Sequence, residues 1–412
     1  MKFRYVQITL LGMFFLFASC SNKEIKNPME ITSFKFEAEK NPGLDRDIVG
    51  VIDNISETIS VVISDKDLEK HLFTTFTPSI KFEGVKVYPP DVKFDFSDPA
   101  EYVVYSKNGD FKTYSVDVLF KDIFISKWKV KVNEEVCLPI YNGGTYDFYV
   151  NWGDGTTDEH IRNWTDGRHR YTASDKYTIT ITGKIQGFNF GEVRESRDKI
   201  IDISSWGNLK LGNRGSHFNK CTNLNISSKD NPNLKGVTNM SGMFSGCTKF
   251  NGNISDWDMS NVTNIAGMFS RASSFNQDIS RWDVSNVINM STLFTEATLF
   301  NQDISGWDVS KVTNMEALFT RATSFNQNIN RWDVSSVTNM KGMFSKAENF
   351  NQPLNDWDIS KVRNMSFMFS AADSFNQDIS PWKVEKVTSC RLFNYAGVLS
   401  PAFRPNFTAC NF

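Results

Sequence analysis

Five aspartates, Asp258, Asp283, Asp308, Asp333 and Asp358, recur at an interval of 25 residues, each directly after a tryptophan. A carboxylate repeated on a fixed period stacks into a column, and like charges about 5 Å apart repel unless something offsets them. Two offsets are open. Each Asp accepts N–H bonds from the Ser and the following residue in its own turn, or the column holds a cation or a basic ligand. The position before each Trp varies instead: Asp256, Arg281, Gly306, Arg331, Asp356 and Pro381. Asn286, Lys311, Ser336 and Lys361 vary in the same way a little further on. Residues that change while their neighbours stay fixed are where a partner surface would be tuned, although drift on an unconstrained face gives the same pattern. The candidate ligand surface is therefore Asp256, Asp258, Arg281, Asp283, Asp308, Lys311, Arg331, Asp333, Asp356, Asp358 and Lys361.

A second cluster, Asp154, Asp158, Glu159, His160 and His169, has metal-ligating side chains but no recognised ligand spacing. Catalysis finds little support elsewhere. There are four histidines, His71, His160, His169 and His217, and neither a phosphate-cradling glycine loop nor a nucleophile elbow. The carboxylate column offers the same surroundings in every unit, so acid and base roles cannot be divided among its members. We therefore expect no enzyme activity, no cofactor and no metal. The net charge is −2, from 45 basic and 47 acidic residues, which implies no nucleic-acid partner. Setting Cys20 aside leaves Cys137, Cys221, Cys247, Cys390 and Cys410, an odd number at irregular spacing that argues against a disulfide framework. Cys221 and Cys247 either bridge or fill small buried slots; alanine at the equivalent slot of later units favours the second reading.

These residues must be positioned by a repeat. Trp257, Trp282, Trp307, Trp332, Trp357 and Trp382 fall exactly one unit apart, at 25 residues each time. Within a unit, Ile279-x-x-Trp282-x-Val284 predicts a short strand, and Met290, Leu293, Phe294 and Ala297 have the spacing of one buried helical face. Asn264, Asn289, Asn314, Asn339 and Asn364 form one column, and Asn276, Asn301, Asn326, Asn351 and Asn376 another; both read as structural, satisfying backbone groups in turns. The small slot holds Cys247, Ala272, Ala297, Ala322, Ala347 and Ala372, which implies tight stacking. A lone unit could not bury its Trp and Phe side chains, so neighbours must cover them.

Units of the form Phe275-Asn276-Gln277-Asp278-Ile279-Ser280-Arg281-Trp282-Asp283-Val284-Ser285 resemble a bacterial surface-protein repeat of about 25 residues. That repeat is akin to the BspA-like leucine-rich repeats found in Mycoplasma, Listeria and Bacteroidetes lipoproteins. The resemblance implies surface display and, for some members, adhesion to host proteins. Upstream, Val150-Asn151-Trp152-Gly153-Asp154-Gly155-Thr156, His169-Arg170-Tyr171 and Tyr177-Thr178-Ile179-Thr180-Ile181 look like a PKD-type β-sandwich, with Asp175-Lys176 where that family usually has Gly. Alternating stretches such as Val85-Lys86-Val87-Tyr88 and Tyr114-Ser115-Val116-Asp117-Val118 suggest an antiparallel sandwich before it, similar to immunoglobulin-like modules. A basic start, an apolar stretch to Phe17 and Ala18-Ser19-Cys20 resemble a lipoprotein signal, making Cys20 the lipidated residue.

The expected architecture is multidomain: two N-terminal β-sandwich modules followed by an α/β leucine-rich-repeat-like solenoid with 25-residue coils. Its parts are a signal peptide (1–20), a tether (21–28), an immunoglobulin-like sandwich (29–122), a PKD-like sandwich (123–187) and the solenoid (188–412, regular over 237–389). The expected protein is held to the bacterial outer membrane by an N-terminal lipid and recognises a host or matrix protein or a glycan through its repeats. The rival is a structural or envelope-assembly component, or a non-catalytic accessory to a surface enzyme complex.

Overall fold

The computed structural model describes residues 29–64, 74–96 and 99–410; the expected signal peptide, tether and Cys20 lie outside them, as does His71. In the N-terminal strands, polar and apolar residues alternate, and alternation buries one face. Ile59, Val61 and Ile63, for example, point inward from Thr58–Ser64. The first ten strands are β1 (Glu30–Phe36), β2 (Ile48–Val49), β3 (Val51–Asp53), β4 (Thr58–Ser64), β5 (Thr75–Phe76), β6 (Pro78–Glu83), β7 (Lys86–Tyr88), β8 (Phe94–Asp95), β9 (Ala100–Tyr105) and β10 (Phe111–Lys121). They make a three-stranded sheet, β2-β1-β6, a five-stranded sheet, β3-β4-β10-β9-β7, and the short pair β5-β8. β4 and β10 run parallel, with Val116 opposite Ile59, so the larger sheet is mixed rather than antiparallel throughout. Phe34, Phe36, Phe96 and Tyr102 lie at the centre of the shared core, which Ile123 and Ile125 enter from the next strand.

Eight further strands follow: β11 (Phe124–Val130), β12 (Glu135–Cys137), β13 (Thr145–Asn151), β14 (Glu159–Ile161), β15 (Arg168–Arg170), β16 (Asp175–Gln186), β17 (Ile200–Ser205) and β18 (Asn225–Ile226). Six of them form the sheet β14-β13-β16-β11-β17-β18, and β12 pairs with β15. After β13 the chain turns at Gly153-Asp154-Gly155. Gly153 has φ 78°, and a Cβ there would stand 2.3 Å from the Thr178 carbonyl oxygen, so no other residue fits. The edge of this sheet leads directly into the repeats. β18 pairs in parallel with β17, and Trp206 meets Trp257 edge to face at 5.6 Å. One apolar core then runs from Phe124 to Leu399.

The repeats correct the expected architecture. No α/β leucine-rich-repeat-like solenoid forms: among the described residues there is no α-helix, and the units share a single parallel bridge each, along the Asn239–Ser389 column, in place of a sheet. Met290, Leu293, Phe294 and Ala297 are fully buried, as a helical face would be, yet the backbone is a run of tight turns. Thr292 and Glu296 have φ of 55° and 59°, which a right-handed helix excludes. Leu293, Thr295 and Ala297 donate three residues back, while Met290, Thr292, Phe294 and Glu296 donate to carbonyls of the next unit, at 2.7–3.1 Å. Alternate N–H groups thus leave the local ladder to join neighbouring units. The expected strand is also a turn, closed by Trp282 N–H to the Ile279 carbonyl at 3.2 Å. A spacing of three cannot put both side chains on one face of a strand, whose period is two.

What holds the units together is repetition of side-chain contacts. Phe294 stacks at 3.9 Å on Phe300, which opens the next unit, and Phe269, Phe294, Phe319 and Phe344 follow one another at 5.7–5.8 Å. From Trp282 to Trp382 each repeat indole donates one unit back, as Trp307 Nε1 does to the Ile279 carbonyl at 3.0 Å, so the aromatic column is also a hydrogen-bonded one. At the far end a Cys390–Cys410 disulfide pins the tail over the last unit, with Phe407 against Phe393 and Phe403 accepting from Ile379 N–H at 3.0 Å. This bridge runs against the expectation drawn from the odd cysteine count. Cys137, Cys221 and Cys247 are free and buried.

Candidate functional site

The eleven candidate surface residues stand exposed on the segment of each unit around its Trp, in adjacent columns along the stack. Their chemistry is largely turned inward. Asp258 Oδ1 accepts from Ser260 N–H at 3.1 Å and from its hydroxyl at 2.6 Å, and Asp283 does the same with Ser285. Asp308, Asp333 and Asp358 each accept from the N–H two residues on, at 3.0 Å. The serine hydrogen bonds hold the carboxyls of Asp258, Asp308 and Asp358 below the usual carboxylate range. Local turns therefore offset the carboxylate column. Among the varied positions, Arg281 lies 3.9 Å from Asp256, Lys311 Nζ donates to Asn286 Oδ1 at 2.6 Å, and Asp356 accepts from Asn330 at 2.7 Å. Arg331 and Lys361 project into solvent.

Both asparagine columns serve the backbone. Asn289 Oδ1 accepts from Ser291 N–H at 3.0 Å within its own turn. In the other column, Asn276 accepts from Asn301 N–H at 2.9 Å in the next unit, and the pattern continues to Asn376 and Ser400. These amides stitch unit to unit and leave little polar capacity for a ligand.

The acidic and histidine cluster of the second sheet divides into pairs. His169 Nε2 meets Asp154 Oδ2 at 2.7 Å, with the imidazole stacked on Trp152 at 4.8 Å. Burial would raise the Asp154 pKa, but hydrogen bonds from Thr156 and His169 hold it below its ordinary value. His160 pairs separately with Asp147 at 2.7 Å, and Asp158 accepts from Asn151 at 2.7 Å. Among the described residues, no three His, Cys, Asp or Glu side chains converge as a metal site would require. These pairs brace the turn and the sheet edge.

Exposed aromatic side chains lie elsewhere. The repeat tryptophans are at most 5% exposed, whereas Tyr88, Phe111, Tyr149 and Trp164, on the two N-terminal modules, are 63%, 65%, 48% and 47% exposed, and Tyr395 in the last unit is 63% exposed. Sequence reasoning passed over them, although a signal was present. Tyr88 and Tyr149 occupy the polar phase of an alternating strand, and an aromatic there must face outward.

Residues 213–319 and 299–401 match a family described as Mycoplasma protein of unknown function, DUF285. Residues 31–118 match a family described as SGBP, N-terminal. Neither match covers the stretch likened to a PKD module. No curated protein matches the chain. Together the two likenesses are those of a bacterial surface protein built on repeats. No helix among the described residues is long and apolar enough to cross a membrane.

Proposed function

We propose that this chain is a lipid-anchored protein of the bacterial outer membrane, displayed at the cell surface, that binds a glycan without catalysing a reaction. The observation that carries the reading is the division of the aromatic residues. The Phe and Trp columns of the repeats are consumed internally, while, apart from Tyr395 in the last unit, the open rings stand on the two N-terminal modules, where one face of a sugar can lie against them. The likeness of residues 31–118 to the N-terminal part of surface glycan-binding proteins supports it. So does the Cys390–Cys410 bridge, since such bonds persist outside the reducing cytosol. In this reading the repeats form a stiff body, and Cys20 attaches the chain to lipid.

A second reading, a structural envelope component, is favoured by the internally satisfied Asp column, which presents no free acidic row to a partner. A host or matrix protein bound along the repeat edge would have to use the few charges left open there, Arg331 and Lys361 among them. Electrophoresis of the purified chain through gels containing neutral polysaccharides separates the readings. Glycan binding predicts retardation by at least one polymer. Migration of folded protein unaffected by a broad panel would leave the structural reading in its place.

A further inference from the structure

We propose that the outer face of the five-stranded sheet, at the end formed by β7, β9 and β10, is a saccharide-binding platform; this rests on the glycan reading above and gives it a location. Strand register builds the platform. Lys86 pairs with Tyr105 and Tyr105 with Phe111, so the three stand in a row across neighbouring strands. Tyr88, Val103 and Thr113 form the adjacent row. Between the rows, Val104 is fully buried and Val87 packs on the same core, and beyond the second row the paired Tyr102 and Tyr114 are fully buried too, which fixes both rows on the solvent side. Lys86 Nζ lies 4.5 Å over the Tyr105 ring, and Phe111 meets that ring at 6.2 Å and 47°. Tyr88 and Phe111, each more than three-fifths exposed, are then the open rings, with the Lys86 ammonium and the Thr113 hydroxyl as donors beside them.

Size and surroundings point to a sugar. Three strands at about 4.8 Å spacing, with two rows about 7 Å apart along them, make a patch on the order of 100 Å², far below the ~800 Å² per partner that a stable protein interface buries. The next row inward is polar, Glu101, Ser115, Thr58 and Asp53 in register across four strands. A lipid surface would strip these groups of water without replacing their hydrogen bonds. A saccharide offers C–H faces to the rings and hydroxyls to that row. Tyr149, the other exposed strand tyrosine, is less open, because His160 covers one of its faces at 4.3 Å and 15°.

The test compares the full chain with Tyr88→Ala/Phe111→Ala and with Tyr149→Ala/Trp164→Ala by affinity electrophoresis. The probes are a β-glucan, an α-glucan, a xylan, a mannan and a galactan. The expected result is retardation by at least one polymer, weakened at least tenfold in Tyr88→Ala/Phe111→Ala, kept in the second variant, and kept in Phe111→Tyr. Unchanged melting temperatures would show that each variant folds. Equal retardation of the wild type and Tyr88→Ala/Phe111→Ala would overturn the platform while the glycan reading stands. Migration unaffected by every polymer would remove both. A platform variant that loses sedimentation with phospholipid vesicles but keeps its glycan retardation would reassign the face to membrane contact.

Discussion

His217 shows how one residue can set the acid limit of the fold. It is fully buried at the slot that later units fill with Met243, Met268 and Leu293. Its Nε2–H donates to the Gly212 carbonyl at 3.1 Å, and Nδ1 has no partner among the described residues. Burial pushes its pKa down from 6.5 to about 4. The unfolded chain then binds the proton more readily than the folded one, so stability is complete above about pH 6.5 and falls as pH drops toward 4. The loss is on the order of 3 kcal/mol. Denaturation series between pH 7 and 4 should show this slope in the wild type and lose it in His217→Met. An unchanged slope in the variant would place the titration elsewhere. Thr292 makes a second residue-scale case. It holds φ 55° where Gly242, Gly267 and Gly342 occupy the same slot. A β-branched residue is strained there, so Thr292→Gly should raise stability by about 1 kcal/mol in urea titrations. The asparagine columns were legible at this scale, since reading them as turn acceptors matches the hydrogen bonds found; for the Asp column the sequence left two offsets open, and the hydrogen bonds found are those of the turn. The exposed aromatics were not, because attention went to the periodic residues and Tyr88 and Phe111 lie outside any repeat.

The elements are where sequence and structure part. Spacing of i, i+3, i+4 and i+7 reports only which side chains face inward, and a run of tight turns meets that demand as well as a helix does. The distinguishing signal was the glycine that recurs at 242, 267 and 342, since a slot that accepts glycine so often asks for positive φ. The Cys390–Cys410 closure escaped for a different reason: counting cysteines says nothing about a tail that folds back over the last unit. The interval itself was read correctly, and it predicts how the stack tolerates change. Every unit donates to its successor through the same positions, so removing Phe300 to Ser324 rejoins equivalent surfaces. The shortened protein should fold cooperatively, with its far-ultraviolet spectrum preserved and its melting temperature lowered by a few degrees. Aggregation or a noncooperative melt would show that the units are not interchangeable. Trp307→Ala, by contrast, deletes a buried ring and its hydrogen bond while keeping the register, and should cost about 3–5 kcal/mol.

At the scale of the whole molecule, the apolar core beginning at Phe124 in the second sheet continues through the repeats to Leu399. Trp206 and the Asp230 carboxylate, which accepts from the N–H groups of Trp206 and Gly207 at 2.9–3.0 Å, close the junction. A body joined in this way transmits position: whatever fixes the second module in space also fixes the repeats. That arrangement suits display, and display is the claim on which the functional account depends. The most direct measurement is to treat intact cells with a membrane-impermeant amine reagent and map the labelled lysines by mass spectrometry, with lysed cells as the control. The account predicts that Lys311 and Lys361, both exposed on the repeats, are modified on intact cells to the extent seen after lysis. Labelling that appears only after lysis would contradict surface display and with it the proposed binding of external glycan.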